Sequence, residues 1–482
     1  MNFVTLEFAA FLLVVLILGS FFQKRATTCR VILLCANFFF YACAGLALVP
    51  LLLAVSILNW GTARLLSRYQ KSSTRKCILG VDIGIHIALL AFFKYNEFFL
   101  HGLELLLSAL FSGSSGSSLT GMTSAYGLTD ILFPVGLSFY TFQGLSYAID
   151  QYRDMKPSGT FLEVLLYVSF FPTIMAGPIL RFGSFAPQLD KRNYDSRSLQ
   201  EGFALILSGL FKKVVIASYL SEHIVRDVYL TPEIYSSPAV LAAVYAYSIQ
   251  IFCDFSGYSD MAIGIGRLMG FQLPENFHSP YLACSLQDFW RRWHISLSRW
   301  LRDYLYIPLG GSRRGNRYAN LIITMTLGGL WHGSHARFLV WGVLHGMGLA
   351  LVHAFHKLKP TLLPASLPPA AQFLGHVLSW LLTFHFVTIL WVFFRAEDMD
   401  RSLEIIRRAF AAETGIGFPM LVIPAILAGF LVQLYGRRLF TGFLSLQERL
   451  PWYGQAIVLA LVGGFILKMG PDGVMPFIYF QF

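Results

Sequence analysis

The sequence predicts an all-α protein that crosses a membrane many times. Of its 482 residues, 56% are hydrophobic and only 13% are charged, whereas a soluble domain carries about 25% charged residues. Mean hydropathy is +0.60, and the apolar residues form long continuous runs, which favour helices over the alternating strands of a barrel. Because a spanning helix needs about 20 apolar residues, the run lengths predict roughly ten to twelve spans.

Apolar runs and basic loops place the first spans. Residues 3–22 are apolar, with no basic segment before them and no clear small-residue cleavage site, so they predict a retained helix rather than a removed signal peptide. Residues 31–66 are apolar and interrupted by Pro50, which indicates a helical hairpin. Basic loops at 23–30 and 67–76 flank this hairpin. Both loops are expected to face the cytoplasm, which places the N-terminus outside.

The next segments mix apolar runs with loop-forming residues. Residues 77–112 predict one or two helices, with Lys94 near a membrane interface, and 112–127 predict a flexible loop of small residues. Residues 131–150 and 170–182 are apolar but rich in glycine and proline. That mixture is typical of broken or re-entrant helices that line a protein cavity.

The second half of the chain alternates apolar runs with polar segments. An amphipathic, arginine-rich segment occupies 277–317, a proline-rich connector occupies 357–370, and a basic stretch at 395–408 is expected to face the cytoplasm. A short aromatic tail after residue 470 is expected at the membrane interface. Further spans are predicted over 198–220, 236–270, 319–356, 371–394, 417–436 and 452–469.

Charge and motif patterns argue against several functions. The net charge of +11 comes from short basic clusters between apolar runs, as membrane topology requires, so nucleic acid is not an expected partner. The six cysteines show no CxxC spacing, and the histidines lack clustered carboxylates or thiolates, so no metal is expected. Gly264, Gly266 and Gly270 imitate a dinucleotide fingerprint, but no strand precedes them, which indicates helix packing instead.

The arginine-rich segment holds the first candidate functional residues. If it forms one continuous helix, Trp293, Trp300 and Tyr304 share a stripe, and His294 lies beside that stripe. One interpretation is an interfacial helix that touches lipid phosphates. The other is a cationic cytoplasmic mouth that binds a phosphate-rich donor. The arginines concerned include Arg291, Arg292, Arg299 and Arg302.

The second candidate lies in "TMTLGGLWHGSHARFLVWG", residues 324–342, where His332 follows Trp331 in an otherwise apolar run. Glycines on both sides of His332 allow close approach of backbone or substrate. An imidazole titrates near 6.5, which suits a general base. The alternative is a histidine that only satisfies a neighbouring carbonyl, and this is the favoured interpretation of His335.

Two aspartates form the third candidate group. Asp254 and Asp260 lie in an apolar run, where a carboxylate is costly unless it is paired or hydrated. One of them is able to orient a histidine, or both form structural pairs with Arg267 or another arginine. From the residues alone, a membrane-embedded group-transfer site is favoured, and a transporter or channel that uses the same polar groups for ion coupling is the alternative.

Several motifs together resemble the membrane-bound O-acyltransferases, and specifically the bacterial branch that acetylates polysaccharides. They run in family order from about residue 133 to residue 346. The segments are "FPVGLSFYTFQGLSYAID", "FFPTIMAGPILRF", "QIFCDFSGYSDMAIGIGRLMGFQLPENFHSPY", "DFWRRWHISLSRWLRDYLYIPLGGSRRG" and "LGGLWHGSHARFLVWGVLHG".

The resemblance implies a fold and a set of site residues. The fold is a set of spanning and short helices around a central tunnel through a thinned region of membrane. His332 matches the essential histidine of the family, and His294 matches its second conserved polar position. The residues expected to bind donor or substrate are Arg181, Asp254, Arg291, Arg292, Trp293, Arg299, Arg302 and Trp331.

The resemblance also implies a reaction and partners. An acetyl group would pass from a cytoplasmic thioester, acetyl-CoA, across the bacterial inner membrane to an exopolysaccharide, directly or through a periplasmic acetyltransferase. Acetyl-CoA is expected as a substrate, with no bound cofactor. A flippase for polysaccharide or acyl groups is the alternative. The expected regions are N-terminal helices (1–130), a catalytic core with the arginine-rich mouth (131–356) and C-terminal helices (357–482) surrounded by membrane lipid.

Overall fold

The computed structural model describes residues 1–110, 134–154, 159–192, 194–362 and 368–470. The loop predicted over 112–127 and the tail predicted after residue 470 lie outside these residues, as does part of the predicted connector.

Helices dominate the described part of the chain, which confirms the all-α membrane class. Among these residues, eight helices are long and apolar enough to cross a membrane, and with two shorter apolar helices the total reaches the lower end of the predicted number. In chain order the helices are α1 (Leu6–Phe21), α2 (Ala26–Ala42), α3 (Val49–Arg68), α4 (Ser72–Leu110), α5 (Leu137–Asp154), α6 (Phe161–Ser169), α7 (Phe171–Ile174), α8 (Phe182–Phe185), α9 (Ser196–Leu230), α10 (Ser237–Leu268), α11 (Leu286–Arg292), α12 (Ile295–Leu301), α13 (Arg317–His332), α14 (Ala336–Leu362), α15 (Pro369–Arg395), α16 (Met399–Phe410), α17 (Val422–Arg449) and α18 (Trp452–Met469).

Local sequence signals explain where several helices begin. Pro50 lies in the first turn of α3, where proline costs no hydrogen bond, and this confirms the predicted hairpin of α2 and α3. Thr160 and Glu163 form a capping box at the start of α6. The side chain of Asn316 accepts hydrogen bonds from two backbone N–H groups in the first turn of α13.

The arginine-rich segment is broken, so the condition for a single aromatic stripe, one continuous helix, is not met. Helix α11 ends at Arg292, Trp293 is extended, and His294 has a left-handed backbone with φ of 43°. Helix α12 then begins in a new direction and continues into a π-helical turn, Arg302–Tyr306. The predicted single stripe of aromatic residues is therefore divided between two elements.

The span predicted over 319–356 is a tight helical hairpin. Helices α13 and α14 pack backbone against backbone, because a Cβ atom on Gly329 would lie 2.3 Å from the carbonyl oxygen of Phe338. A Cβ atom on Gly342 would lie 2.5 Å from the carbonyl oxygen of Met325. Glycine at both positions lets the two helices approach more closely than any other residue would allow.

This hairpin separates two basic segments that were expected to share the cytoplasmic face. Helix α13 runs from Arg317 to His332, α14 returns beside it, and α15 runs antiparallel to α14, so the end of α15 lies at the His332 end. Arg337 at the start of α14 donates to the carbonyl of Phe394 at 2.7 Å. The stretch 395–408 therefore lies at the opposite end of the hairpin from Arg317, and the shared location was wrong.

Candidate active site

His294 is held by a polar network at the break between α11 and α12. Its Nδ1 lies 3.2 Å from the side-chain oxygen of Asn276, which also accepts from the backbone N–H of Ser296 at 3.2 Å. The backbone N–H of Ile295 donates to the carbonyl of Asn276 at 2.9 Å. These bonds stabilise a left-handed backbone that a non-glycine residue rarely adopts, and such strain is typical of functional sites.

The same network fixes the tautomer of His294. Because the backbone N–H of Ser296 donates to the side-chain oxygen of Asn276, that oxygen is the acceptor, and Nδ1 of His294 must carry a proton. In a neutral imidazole Nε2 is then the acceptor. This Nε2 is buried and has no hydrogen-bond partner among the described residues. It is consequently positioned to accept a hydrogen bond from a bound hydroxyl.

His332 ends α13 inside an aromatic chamber. The residue is 6% exposed, and its ring centroid lies 4.9 Å from that of Phe394 and 5.4 Å from that of Trp341. Gly333 permits this packing, because a Cβ atom there would lie 2.3 Å from the ring of Phe338. The predicted role of the flanking glycines is therefore visible as close approach of α14, which encloses the imidazole.

Trp331 lies between the two histidines. Its ring centroid is 4.7 Å from that of His332 and 6.5 Å from that of His294. Phe142 stacks on Trp331 at 5.0 Å and on Trp300 at 4.0 Å. The structure thus brings both predicted histidines to one aromatic wall, although they are 38 positions apart in the sequence.

Two residues of α4 that the sequence did not mark as functional reach this wall. The Nζ of Lys94 donates to the carbonyl oxygen of Trp331, and the hydroxyl of Tyr95 donates to the carbonyl oxygen of Leu330. The available signal was a lysine within the apolar run "AFFKYNEFF", where an ionisable group is expensive. Asn276 was missed for a different reason, because it lies in a loop without periodicity.

An arginine-lined cavity of about 620 Å³ lies against α12 and α13. Its wall includes Ile295, which directly follows His294, and Met325, which lies two turns before His332 on α13. No acidic side chain lines it among the described residues. Such a cavity attracts and binds anions, since guanidinium groups fit phosphate oxygens. The arginines in its wall are Arg291, Arg299, Arg302 and Arg317.

Three predicted arginines pair with aspartates, and one of them, Arg302, lies 2.7 Å from Asp303 while it also lines the cavity. Arg292 pairs with Asp288 at 2.9 Å. Arg181 pairs with Asp303 and lies over the ring of Tyr304 at 5.2 Å. Burial alone would raise the pKa of Asp303, but hydrogen bonds from Arg302 and Arg181 outweigh it and bring this pKa below its ordinary value. Arg181 thus fastens the broken segment before α8 to the π-helical turn after α12.

The two membrane aspartates pair with lysines of α9 rather than with arginines. Lys212 lies 2.5 Å from Asp260, and Lys213 donates to Asp254. Two consecutive residues face α10 because Phe211–Ala217 is π-helical, which adds a residue to the turn. Arg267, the pairing partner considered from the sequence, contacts Glu201 at 2.9 Å instead. At His294 the orienting role considered for an aspartate is filled by Asn276.

Trp293 lies away from the cavity, in the aromatic core. Its ring centroid is 4.9 Å from that of Trp391 and 5.1 Å from that of Phe277. It is 2% exposed. The contacts indicate that Trp293 anchors the break before His294.

Most of the residues that build this site lie in a segment that matches a known protein family. The model of the membrane-bound O-acyltransferase family, MBOAT, matches residues 158–394. The "Probable alginate O-acetylase AlgI" of Azotobacter vinelandii is 33% identical, over 98% of each chain. The chain belongs to the membrane-bound O-acyltransferase family. It is a multi-pass acyltransferase.

Further relatives are named for other substrates. The "Peptidoglycan O-acetyltransferase" of Helicobacter pylori is 35% identical over 78% of this chain and 72% of its own. The "Teichoic acid D-alanyltransferase" of Bacillus subtilis is 29% identical over 52% of this chain and 66% of its own. The family match includes both histidines, Asn276 and all four cavity arginines, and it ends just before α16.

Proposed function

We propose that this membrane O-acyltransferase moves an acetyl group from acetyl-CoA to a polysaccharide hydroxyl, directly or through a periplasmic acetyltransferase. The observation that carries the proposal is the cavity whose wall holds four arginines and no described acidic side chain, and reaches the residue after His294. Phosphates of the donor bind at the arginines, and the thioester extends toward the aromatic wall.

In this proposal His332 is the general base. It takes the proton of the acceptor hydroxyl while that oxygen attacks the thioester carbonyl carbon. The carbon–sulfur bond breaks, and His332 returns the proton to the departing thiolate, so that an ester and a thiol are formed. Base catalysis of this kind contributes roughly 10²- to 10⁴-fold to the rate. The unpartnered Nε2 of His294 accepts a hydrogen bond and so positions the acceptor hydroxyl or the donor.

We infer the direction of transfer from the two ends of the α13–α14 hairpin, which lie apart. The arginine-lined cavity faces the cytoplasm of a bacterium, where acetyl-CoA is made, and the N-terminus faces outward. The acceptor meets His332 from the other end of the α13–α14 hairpin. The names of the relatives, which include alginate and peptidoglycan acetylation, support a cell-surface polysaccharide as the final acceptor.

Ion-coupled transport was the alternative for the same polar residues. It depends on Asp254 or Asp260 exchanging an ion within the membrane. Both carboxylates are occupied by lysines in the structure, which supports the transferase over the transporter.

Thiol release by the purified protein tests the proposal. The protein in lipid vesicles is given acetyl-CoA and an oligosaccharide acceptor, and free thiol and acetylated product are measured. S-acetylpantetheine is the comparison donor, because it has the same thioester but lacks the phosphates together with the adenosine. We expect transfer from both, with a KM at least tenfold higher for S-acetylpantetheine, since each lost charged hydrogen bond costs about 1.5–3 kcal/mol.

Two results would contradict the proposal. One is oligosaccharide flux across the vesicle membrane without thiol release. The other is an equal KM for the two donors, which would remove the cavity arginines from donor binding.

A further inference from the structure

Lys94 occupies an unusual place for a lysine. It lies within an apolar run of α4, and its Nζ is directed at the end of another helix rather than at water or lipid headgroups. We infer that Lys94 and its neighbour Tyr95 clamp the C-terminal end of α13 and thereby set the position of His332. Lys94 is then a positioning residue of the acyl transfer, and this inference rests on the proposed function.

The end of a helix explains what the clamp binds. The last four carbonyl groups of an α-helix have no partner within the helix, and inside a membrane each must find one. At the end of α13, the carbonyl of Leu330 accepts from the hydroxyl of Tyr95 and from the backbone N–H of Gly333 at 3.2 Å. The carbonyl of Trp331 accepts from Lys94. A cation is also favoured at this end by the helix dipole.

The carbonyl that Lys94 binds is the one closest to the reacting group. It belongs to the peptide bond that joins Trp331 to His332, so its orientation fixes the backbone from which the imidazole projects. The Nζ of Lys94 also lies 5.6 Å from the centre of the Trp331 ring, within range of a cation–π interaction. One cation therefore contacts both the main chain and the side chain of the residue before His332.

The clamp opposes the packing of α14. On one side of His332, Gly333 lets the ring of Phe338 close in. On the other side, α4 supplies a charged and a neutral hydrogen bond. Helix α13 ends at His332, so contacts from α4 and α14 help to hold the backbone from which the imidazole projects.

Substitutions at Lys94 test the inference by separating kcat from KM. Lys94→Met keeps the length of the side chain but removes its charge and its donor. We expect kcat to fall roughly 100-fold, because a displacement of about 1 Å at a catalytic group costs that much, with KM for acetyl-CoA within threefold of wild type. Lys94→Arg should recover most of the activity. The control is Lys76→Met, an exposed lysine of the same helix, which should behave as wild type.

Each other outcome overturns the inference. These outcomes are wild-type kcat in Lys94→Met, a rise in KM without loss of kcat, and no recovery in Lys94→Arg. If Lys94→Met does not fold, Tyr95→Phe decides, and a kcat unchanged in that variant overturns the clamp. Wild-type protein is assayed in parallel, so absence of any acetyl transfer would refute the proposed function, whereas an active wild type with an equally active Lys94→Met would refute only the clamp.

Discussion

The two buried histidines are held in different ways. His294 lies in a loop, with a strained backbone, and a side-chain amide fixes its proton. His332 ends a helix, and aromatic rings surround it. The difference fits the proposed duties, in which His294 is kept in a single tautomer and His332 is the general base.

The largest effect is expected at His332. His332→Ala removes the base and should lower kcat by at least 10²- to 10⁴-fold, measured as thiol release from acetyl-CoA. His335→Ala is the matched control, because that histidine is three residues away and exposed. Equal activity of His332→Ala and His335→Ala would exclude His332 as the general base.

A smaller loss is expected from releasing the tautomer of His294. Asn276→Leu removes the oxygen that binds Nδ1 of His294 and leaves the ring able to turn. We expect kcat to fall about 10- to 100-fold, a smaller effect than removing a tautomer-fixing partner in a catalytic triad. Ser259→Ala is the control, since it removes only the bond that the amide nitrogen of Asn276 donates. If both variants lose activity equally, loop stability rather than the tautomer explains the effect.

The cavity separates donor binding from chemistry. Arg299→Ala should raise KM for acetyl-CoA about tenfold or more, as expected for one charged hydrogen bond, while kcat stays within threefold. Arg437→Ala, at an exposed arginine of α17 outside the cavity, should change neither constant. A drop in kcat with constant KM in Arg299→Ala would assign the arginine to the chemical step instead.

The smallest effect is expected at the pair that fastens Arg181. Asp303 has a pKa below its ordinary value, so it stabilises the fold above the unfolded pKa near 3.9 and loses this effect as the pH falls through the folded pKa. Because Arg181 is 40% exposed, we expect Asp303→Asn to cost no more than about 1 kcal/mol at pH 7. Thermal unfolding should show this difference at pH 7 and lose it in acid, as the pH falls below the folded pKa of Asp303. A difference that persists in acid would indicate a packing effect.

Composition and short motifs in the sequence predicted the membrane class and the family. The membrane class followed from apolar run lengths, and the family followed from motifs around His294 and His332. The same patterns did not reveal Lys94 or Asn276. Lys94 contacts a residue 237 positions away, and Asn276 acts from a loop, so neither contact leaves a periodic signal.

Two structural expectations failed, one because it assumed a regular helix and the other because it relied on charge alone. The arginine-rich segment was treated as one helix, whereas the bonds made by Asn276 stabilise a break at His294. The basic stretch 395–408 was assigned by charge alone. Its arginines are balanced by neighbouring glutamates, with Arg407 bound to Glu404 at 2.8 Å and to Glu413 at 2.9 Å, so the cluster carries little information about the side of the membrane.

The paired lysines of α9 also bear on how the protein is made. Inserting a lysine at the centre of a lone helix costs about 2.5–3.5 kcal/mol, and an aspartate costs a similar amount. Helix α9 carries two such lysines, and α10 carries the two aspartates that neutralise them. Neither segment is therefore suited to leave the translocon alone. We expect the translocon to release α9 and α10 into the bilayer together, with their lysines and aspartates already paired.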